Sequence, residues 1–255
     1  NLAVITPIDL DHTNLLGNTI TEIAFEKAGI IKPNALAISA ENAPNISIIE
    51  QAQKNHAPLL HAGKDFQYHK VDSSTWQYHY QDHAFTFPMP KLRGDHQLQN
   101  AAAAITALLN SPIKDKLTES ILTHGLLNTQ LKGRFEKVIH DNCKFYFDVT
   151  HNPQGAAILH NLLKPYRAQG QKVIAVLGML KDKDAANLAS ALKDDIDGWV
   201  LASLEGDRGQ TAEQLKERIE PFLNHNHIVL AENSVANACQ KALSLKQNDD
   251  IILVF

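Results

Sequence analysis

Phe145-Tyr146-Phe147-Asp148-Val149-Thr150-His151-Asn152-Pro153 changes character abruptly: an aromatic run gives way to a carboxylate, an imidazole and an amide. The run reads as the end of a buried strand. Asn152 can cap a following helix, with Pro153 at its first position, where a missing N–H costs nothing. Downstream, apolar strand-like runs alternate with helical periodicity. We expect strands or helices at 145–149, 153–168, 173–177, 185–192, 199–202, 212–223, 228–230, 235–245 and 251–255. This alternation predicts a mostly parallel sheet covered by helices on both faces, a Rossmann-like α/β domain. Ligands of such sheets bind beyond the carboxyl ends of the strands. That is where Asp148, His151 and Asn152 fall.

Composition narrows the class. The 255 residues are 44% hydrophobic and 20% charged, which fits a globular α/β protein with two cores. A formal net charge of −4 gives no electrostatic reason to expect nucleic acid or an anionic membrane as partner. The longest apolar runs, such as 173–177 and 251–255, are strand-sized and far below the roughly 20 residues of a membrane span. No secretory leader is visible, and two cysteines, Cys143 and Cys239, fit a reducing cytoplasm. No Gly-x-Gly-x-x-Gly or Gly-x-x-x-x-Gly-Lys-Ser/Thr occurs; the Gly63-Lys64 pair is followed by Asp65.

Upstream, the strand-like run 2–8 leads into Asp11-His12-Thr13, Leu16-Gly17 and Thr19-Ile20-Thr21-Glu22-Ile23-Ala24-Phe25-Glu26-Lys27-Ala28-Gly29-Ile30-Ile31-Lys32-Pro33. Thr19 and Glu22 have capping-box spacing, Gly29 can supply a left-handed stop, and Pro33 discourages continuation, so a helix is expected over 20–28. Lys27 falls on the stripe of Ile20, Ile23 and Ala24. Held there, its amine would lose hydration and become reactive. The alternative is that it snorkels to water or pairs with a carboxylate. His12 alone reads equally as a structural histidine.

A strand-helix-strand passage follows over 35–65, then a β-hairpin in which Tyr78 and Tyr80 alternate with polar residues, Gln81-Asp82 turns, and Phe85 and Phe87 resume. His69, His79 and His83 are read as exposed strand positions rather than metal ligands. Leu92-Arg93-Gly94-Asp95-His96-Gln97-Leu98-Gln99-Asn100 opens an alanine-rich helix to Leu109, and a second helix over 117–126 closes the first domain. The boundary is expected at 127–132, giving domains 1–130 and 131–255.

The long uninterrupted pattern Asp-His-Thr, Leu-Gly, then Glu-Lys-Ala-Gly-Ile-Ile-Lys-Pro resembles the folylpolyglutamate synthase and dihydrofolate synthase family, relatives of the Mur ligases. Lys132-Gly133-Arg134-Phe135 and Asp148-Val149-Thr150-His151-Asn152-Pro153 resemble two further motifs of that family, with Thr150 in place of the usual alanine. Residues 178–184 and Arg208-Gly209 fit two more segments. The resemblance implies the remainder of a P-loop-type ATPase domain followed by a Rossmann-like carboxy-terminal domain. It implies magnesium held by His12, a carbamoylated Lys27, and nucleotide contacts from Asn100, Arg134 and Asp148, with His151 near the reacting phosphate.

The implied reaction joins L-glutamate to dihydropteroate or folylpolyglutamate using ATP and Mg2+, through an acyl phosphate. Two anions must meet, so cations must neutralise phosphate oxygens. The implied enzyme is a cytoplasmic monomer of folate biosynthesis and one-carbon metabolism, with a site shared by two domains and a hinge at 127–132. A chain starting at Asn1 inside a strand and ending inside another reads as a piece of a longer enzyme, inactive alone. A Mur-type cell-wall ligase and a non-catalytic nucleotide-binding module are the rival readings.

Overall fold

The computed structural model describes residues 2–10, 13–247 and 249–255, with the backbone alone at 13 and 14. Its chain divides into two units, residues 1–130 and 131–255.

In the first unit, β1 (Leu2–Ile5), α1 (Thr13–Leu16), α2 (Ile20–Ala28), β2 (Leu36–Ser39), α3 (Ile46–Lys54) and β3 (Leu59–His61) form a parallel sheet of order β1-β2-β3. The register pairs Ala3 with Ala37 and Ile38 with Leu60. The helix at 20–28 is held by the expected capping box: Thr19 Oγ1 accepts from Glu22 N at 3.2 Å, and Glu22 Oε2 accepts from Thr19 N at 3.0 Å. Hydrogen bonds from Asn18 and Thr19 hold the Glu22 carboxyl below its ordinary value. Gly29 does not supply a left-handed stop. Its φ is −57°, and its N–H still bonds back to the helix. Asn34, with φ 58°, turns the chain instead, and its N–H bonds Asn55 O at 2.8 Å.

Three antiparallel strands follow, β4 (Phe66–Lys70), β5 (Thr75–Tyr80) and β6 (His83–Pro88), in the order β4-β5-β6. The expected hairpin is β5-β6, with its turn at Gln81, φ 51°. β4 adds an edge that Phe66 and Tyr68 alone signalled weakly. Phe66, Trp76, Tyr78, Tyr80 and Phe87 are buried on one face. His69 and His79 stand exposed on the other, their rings 6.1 Å apart and parallel within 4°.

Helix α4 (His96–Leu109) packs between the parallel sheet and this aromatic face. Its fully buried Ala102 and nearly buried Ala103 allow the close approach. One polar pair crosses the core: Thr106 Oγ1 donates to Ala102 O at 2.8 Å, so Tyr78 Oη, also 2.8 Å away, donates to Thr106 Oγ1. α5 (Glu119–Asn128), capped by Thr118, completes the unit.

The second unit contains β7 (Glu136–His140), β8 (Cys143–Phe147), α6 (Pro153–Ala168), β9 (Val173–Leu177), α7 (Ala185–Leu192), β10 (Gly198–Ala202), α8 (Ala212–Ile219), β11 (Ile228–Glu232), α9 (Val235–Leu245) and β12 (Ile251–Val254). The sheet order is β11-β10-β9-β12-β8-β7. All neighbours are parallel except β7, an antiparallel edge joined to β8 through Asp141 and Asn142 at φ 48° and 60°. Period-two alternation sends Val173, Ala175 and Leu177 toward α6, α7 and α8, and Ile174 and Val176 toward α9. Every residue of β9 and β10 is buried. Among the described residues no helix is long and apolar enough to cross a membrane.

Replacing Tyr78 by Phe removes one buried hydrogen bond and should cost about 0.5–1.5 kcal/mol by urea unfolding, whereas Trp76→Ala should cost about 3–5 kcal/mol. A pH test exists in the second unit. Burial lowers the His227 pKa below the ordinary 6.5, and its Nδ1 is buried without a partner. The unfolded chain therefore takes up the proton more readily. Stability should fall as pH drops below about 6.5, and the slope difference from a His227→Gln variant isolates this contribution.

Candidate functional site

The second unit gathers its motif residues at the carboxyl end of β8. Asp148 follows the strand and its N–H bonds Val254 O at 2.9 Å, continuing the pairing with β12. Its carboxylate is already used by the protein. Oδ2 accepts from Phe135 N at 2.8 Å, and Oδ1 accepts from Thr150 N at 2.9 Å and Thr150 Oγ1 at 2.6 Å.

The bond to Phe135 fixes an unusual turn. Gly133 has φ 68° and Phe135 φ 48°, a left-handed conformation that side chains rarely adopt. A Cβ at Gly133 would also stand 2.8 Å from Val149 Cγ1. Phe135 is anchored by burial against Tyr146, with ring centroids 4.7 Å apart. Strain of about 1–3 kcal/mol is usual for such a residue and persists where surroundings enforce it. Its product is the placement of Arg134, which is exposed and makes no hydrogen bond or ion pair with the described residues. A free guanidinium on a rigid turn suits phosphate oxygens.

His151 lies next to this turn. Its Nδ1 is 2.8 Å from Val149 O, and since a carbonyl only accepts, Nδ1 is the donor. Asn152 caps α6 as the sequence predicts, accepting from Gly155 N at 2.8 Å. Arg208 is spent internally: it grips Asp182 at 3.0 and 2.7 Å, which raises the Arg208 pKa and lowers that of Asp182. This pair ties the 178–184 loop to the loop after β10.

In the first unit the structure corrects the reading of Lys27. Ile23, Ala24 and Ala28 are buried, but Lys27 is exposed and without a partner among the described residues. Coverage of this short helix is uneven: its last residue, Ala28, is fully buried while its neighbour Lys27 is not. Ile20, at the other end of the stripe, is 41% exposed. The four-carbon stem thus reaches water, as the snorkelling alternative has it.

Asn100 sits one turn into α4, half-buried, with Nδ2 3.3 Å from Gln97 Oε1. Its neighbour Gln99 donates to Ala40 O at 2.7 Å, which sets this turn at the carboxyl end of β2. Asn100 and Lys27 sit on helices that pack into different hydrophobic clusters, α4 with the aromatic core and α2 with Ile5, Ala37 and Ile48. His12 lies outside the described residues. Among the described residues no group of three or more His, Cys, Asp or Glu side chains could hold a metal ion.

Two residues escaped the sequence reading. Glu41, just past β2, accepts from Ile8 N at 3.0 Å through Oε1, while its Oε2 is shut from solvent without a partner. A carboxylate immediately after a buried parallel strand was the available signal. Thr150 was noted only as a departure from a motif, and its hydroxyl bond to Asp148 required coordinates.

Residues 133–255 match the family model described as Mur ligase, glutamate ligase domain. The dihydrofolate synthase/folylpolyglutamate synthase of Escherichia coli K12 is 34% identical over 264 residues, covering 100% of this chain and 57% of the relative. The solved structure of E. coli FolC in complex with DHPP and ADP superposes with a TM-score of 0.87 at 34% identity, covering 99% of this chain and 57% of that one. A bifunctional folylpolyglutamate synthase/dihydrofolate synthase with Mn, AMPPNP and L-glutamate bound gives 0.81 at 31% identity, covering 99% and 58%. The chain thus spans less than three-fifths of these relatives. The chain is homologous along its whole length to dihydrofolate synthase/folylpolyglutamate synthases, and its second unit matches the glutamate ligase domain of the Mur ligases.

Proposed function

We propose that the gene product carrying this chain is an ATP-dependent ligase that joins L-glutamate to dihydropteroate or a folylpolyglutamate through an acyl phosphate. The observation that carries the reading is the unpaired Arg134 guanidinium, presented by a strained turn that Asp148 braces. The likeness to relatives solved with ADP, AMPPNP and L-glutamate supports it.

In this reading Arg134 neutralises phosphate oxygens as charge shifts during phosphoryl transfer. His151, its Nδ1 held by Val149 O, is placed beside the Arg134 turn and is assigned a role near the reacting phosphate by resemblance. Asn100 is a further nucleotide contact by resemblance, and Asp148 orders the Arg134 turn. Magnesium would neutralise phosphate charge; His12 is its ligand by resemblance alone, and the described residues do not form its shell, so no step is drawn through it. Lys27, exposed and unpartnered, is accessible to carbon dioxide and is the proposed carbamoylation site. We place the enzyme in the cytoplasm as a monomer acting on small molecules, without nucleic-acid or membrane partners.

The test is ATP- and glutamate-dependent phosphate release by the complete gene product, with dihydropteroate, a folylpolyglutamate or a cell-wall precursor as acceptor. Release with either folate acceptor is expected. Release with the cell-wall precursor alone would assign the Mur branch, and none with any acceptor would favour a non-catalytic module. Arg134→Ala should weaken ATP use about 10- to 100-fold, the range for a lost hydrogen bond to a charged group. Lys27→Ala should abolish turnover, and the native protein's intact mass should exceed the sequence mass by one carbon dioxide.

A further inference from the structure

Asp148, Thr150 and Gly155 form an arrangement that helix capping and strand pairing do not require. Both oxygens of the Asp148 carboxylate are occupied by donors from its own chain. The shortest of these contacts comes from the Thr150 hydroxyl, at 2.6 Å. On the other side of Thr150 lies Gly155, in the first turn of α6. A Cβ built there would stand 2.9 Å from both Thr150 Cγ2 and Thr150 Oγ1, closer than real side chains approach. Glycine weakens a helix relative to alanine, and its place here is explained by the space that the branched side chain of Thr150 occupies.

We infer that Thr150 is a positioning residue for Arg134. Its hydroxyl locks the Asp148 carboxylate in the orientation that holds Phe135 N–H, and Gly155 is the space that permits it. Asp148 then braces the Arg134 turn, in addition to any contact it makes with the nucleotide. Without the hydroxyl, Oδ1 keeps only the Thr150 N–H among its described donors, the carboxylate is held less firmly, and the bond that offsets the strain of the left-handed Phe135 weakens. Arg134 loses its fixed direction, and a ligand must then order it on binding. The functional half of this inference rests on the nucleotide role proposed for Arg134.

The experiment uses the 255-residue chain with Thr150→Ala, Thr150→Val, Thr150→Ser, Gly155→Ala, the Thr150→Ala/Gly155→Ala pair and Arg134→Ala. Amide exchange at Phe135 is followed by NMR, ADP affinity by calorimetry and stability by melting. Exchange at Phe135 should quicken about tenfold or more in the Ala and Val variants, as expected for loss of a bond to a charged acceptor. The Ser variant, which keeps the hydroxyl, should stay within about twofold of the native chain. ADP affinity should follow the same order. Gly155→Ala should lower the melting temperature and quicken exchange, and adding Thr150→Ala should restore the melting temperature but not the protection. Native protection of Phe135 in Thr150→Val would overturn the inference, since that side chain keeps the volume and loses the donor. So would native ADP affinity in Thr150→Val alongside weakened binding in Arg134→Ala. Unchanged ADP affinity in Arg134→Ala would instead sink the nucleotide reading, with Phe135 exchange still deciding whether Thr150 braces the turn.

Discussion

A carboxylate at the end of a buried strand must find donors, because water reaches it poorly and an unpaired charge there is costly. Asp148 finds them in two directions along the sequence, at Phe135 and at Thr150. Those bonds join the strand end, the glycine-arginine-phenylalanine turn and the start of α6 into one rigid corner. The left-handed Phe135, the direction of Arg134 and the setting of His151 all depend on that corner. The residue that looks most like a ligand-binding acid thus holds its neighbours, and the cation beside it has no partner among the described residues.

Lys27 shows the opposite relation of pattern to structure. Its helical spacing relative to Ile23 and Ala24 is that of a buried position, yet the side chain is exposed. Helical periodicity reports direction around an axis. Burial also needs something opposite, and the short sheet and α3 extend only far enough to cover Ile23, Ala24 and Ala28. The apolar Ile20, Phe25 and Ile30 are 41%, 58% and 50% exposed, so the open surface extends along this segment and into the loop after it. Any role for Lys27 therefore starts from an accessible amine, not from one desolvated by the packing of this chain.

Much of the fold was legible because buried strands and capped helices leave local chemical traces. Thr19 with Glu22 marked one helix start, and Asn152 with Pro153 another. The apolar runs of β9 and β12 signalled strands covered on both faces. β4 and β7 were harder to read. Both are edge strands with mostly exposed residues, so burial does not force a clear alternation, and their partners are set by turns. The turn at Asp141 and Asn142 did carry a signal, since both residue types tolerate positive φ.

Asn100 and Arg134 were singled out by family resemblance alone; by itself the sequence determined the two α/β units, the helix caps, and the strand end where polar groups such as Asp148 and His151 collect. These follow from short-range chemistry: periodicity, capping and the polarity of a few consecutive residues. Tertiary structure alone decided that Lys27 faces water, that Arg208 pairs with Asp182, and that Asp148 accepts three hydrogen bonds from its own chain while Arg134 has no partner among the described residues. Whether a charged group is spent or available depends on donors and acceptors supplied by residues distant in sequence. Asp148 and Phe135 are 13 residues apart, and Arg208 and Asp182 are 26 apart. No local pattern encodes such pairings, because the geometry that makes them arises only when the sheet and its connecting loops have closed around one core.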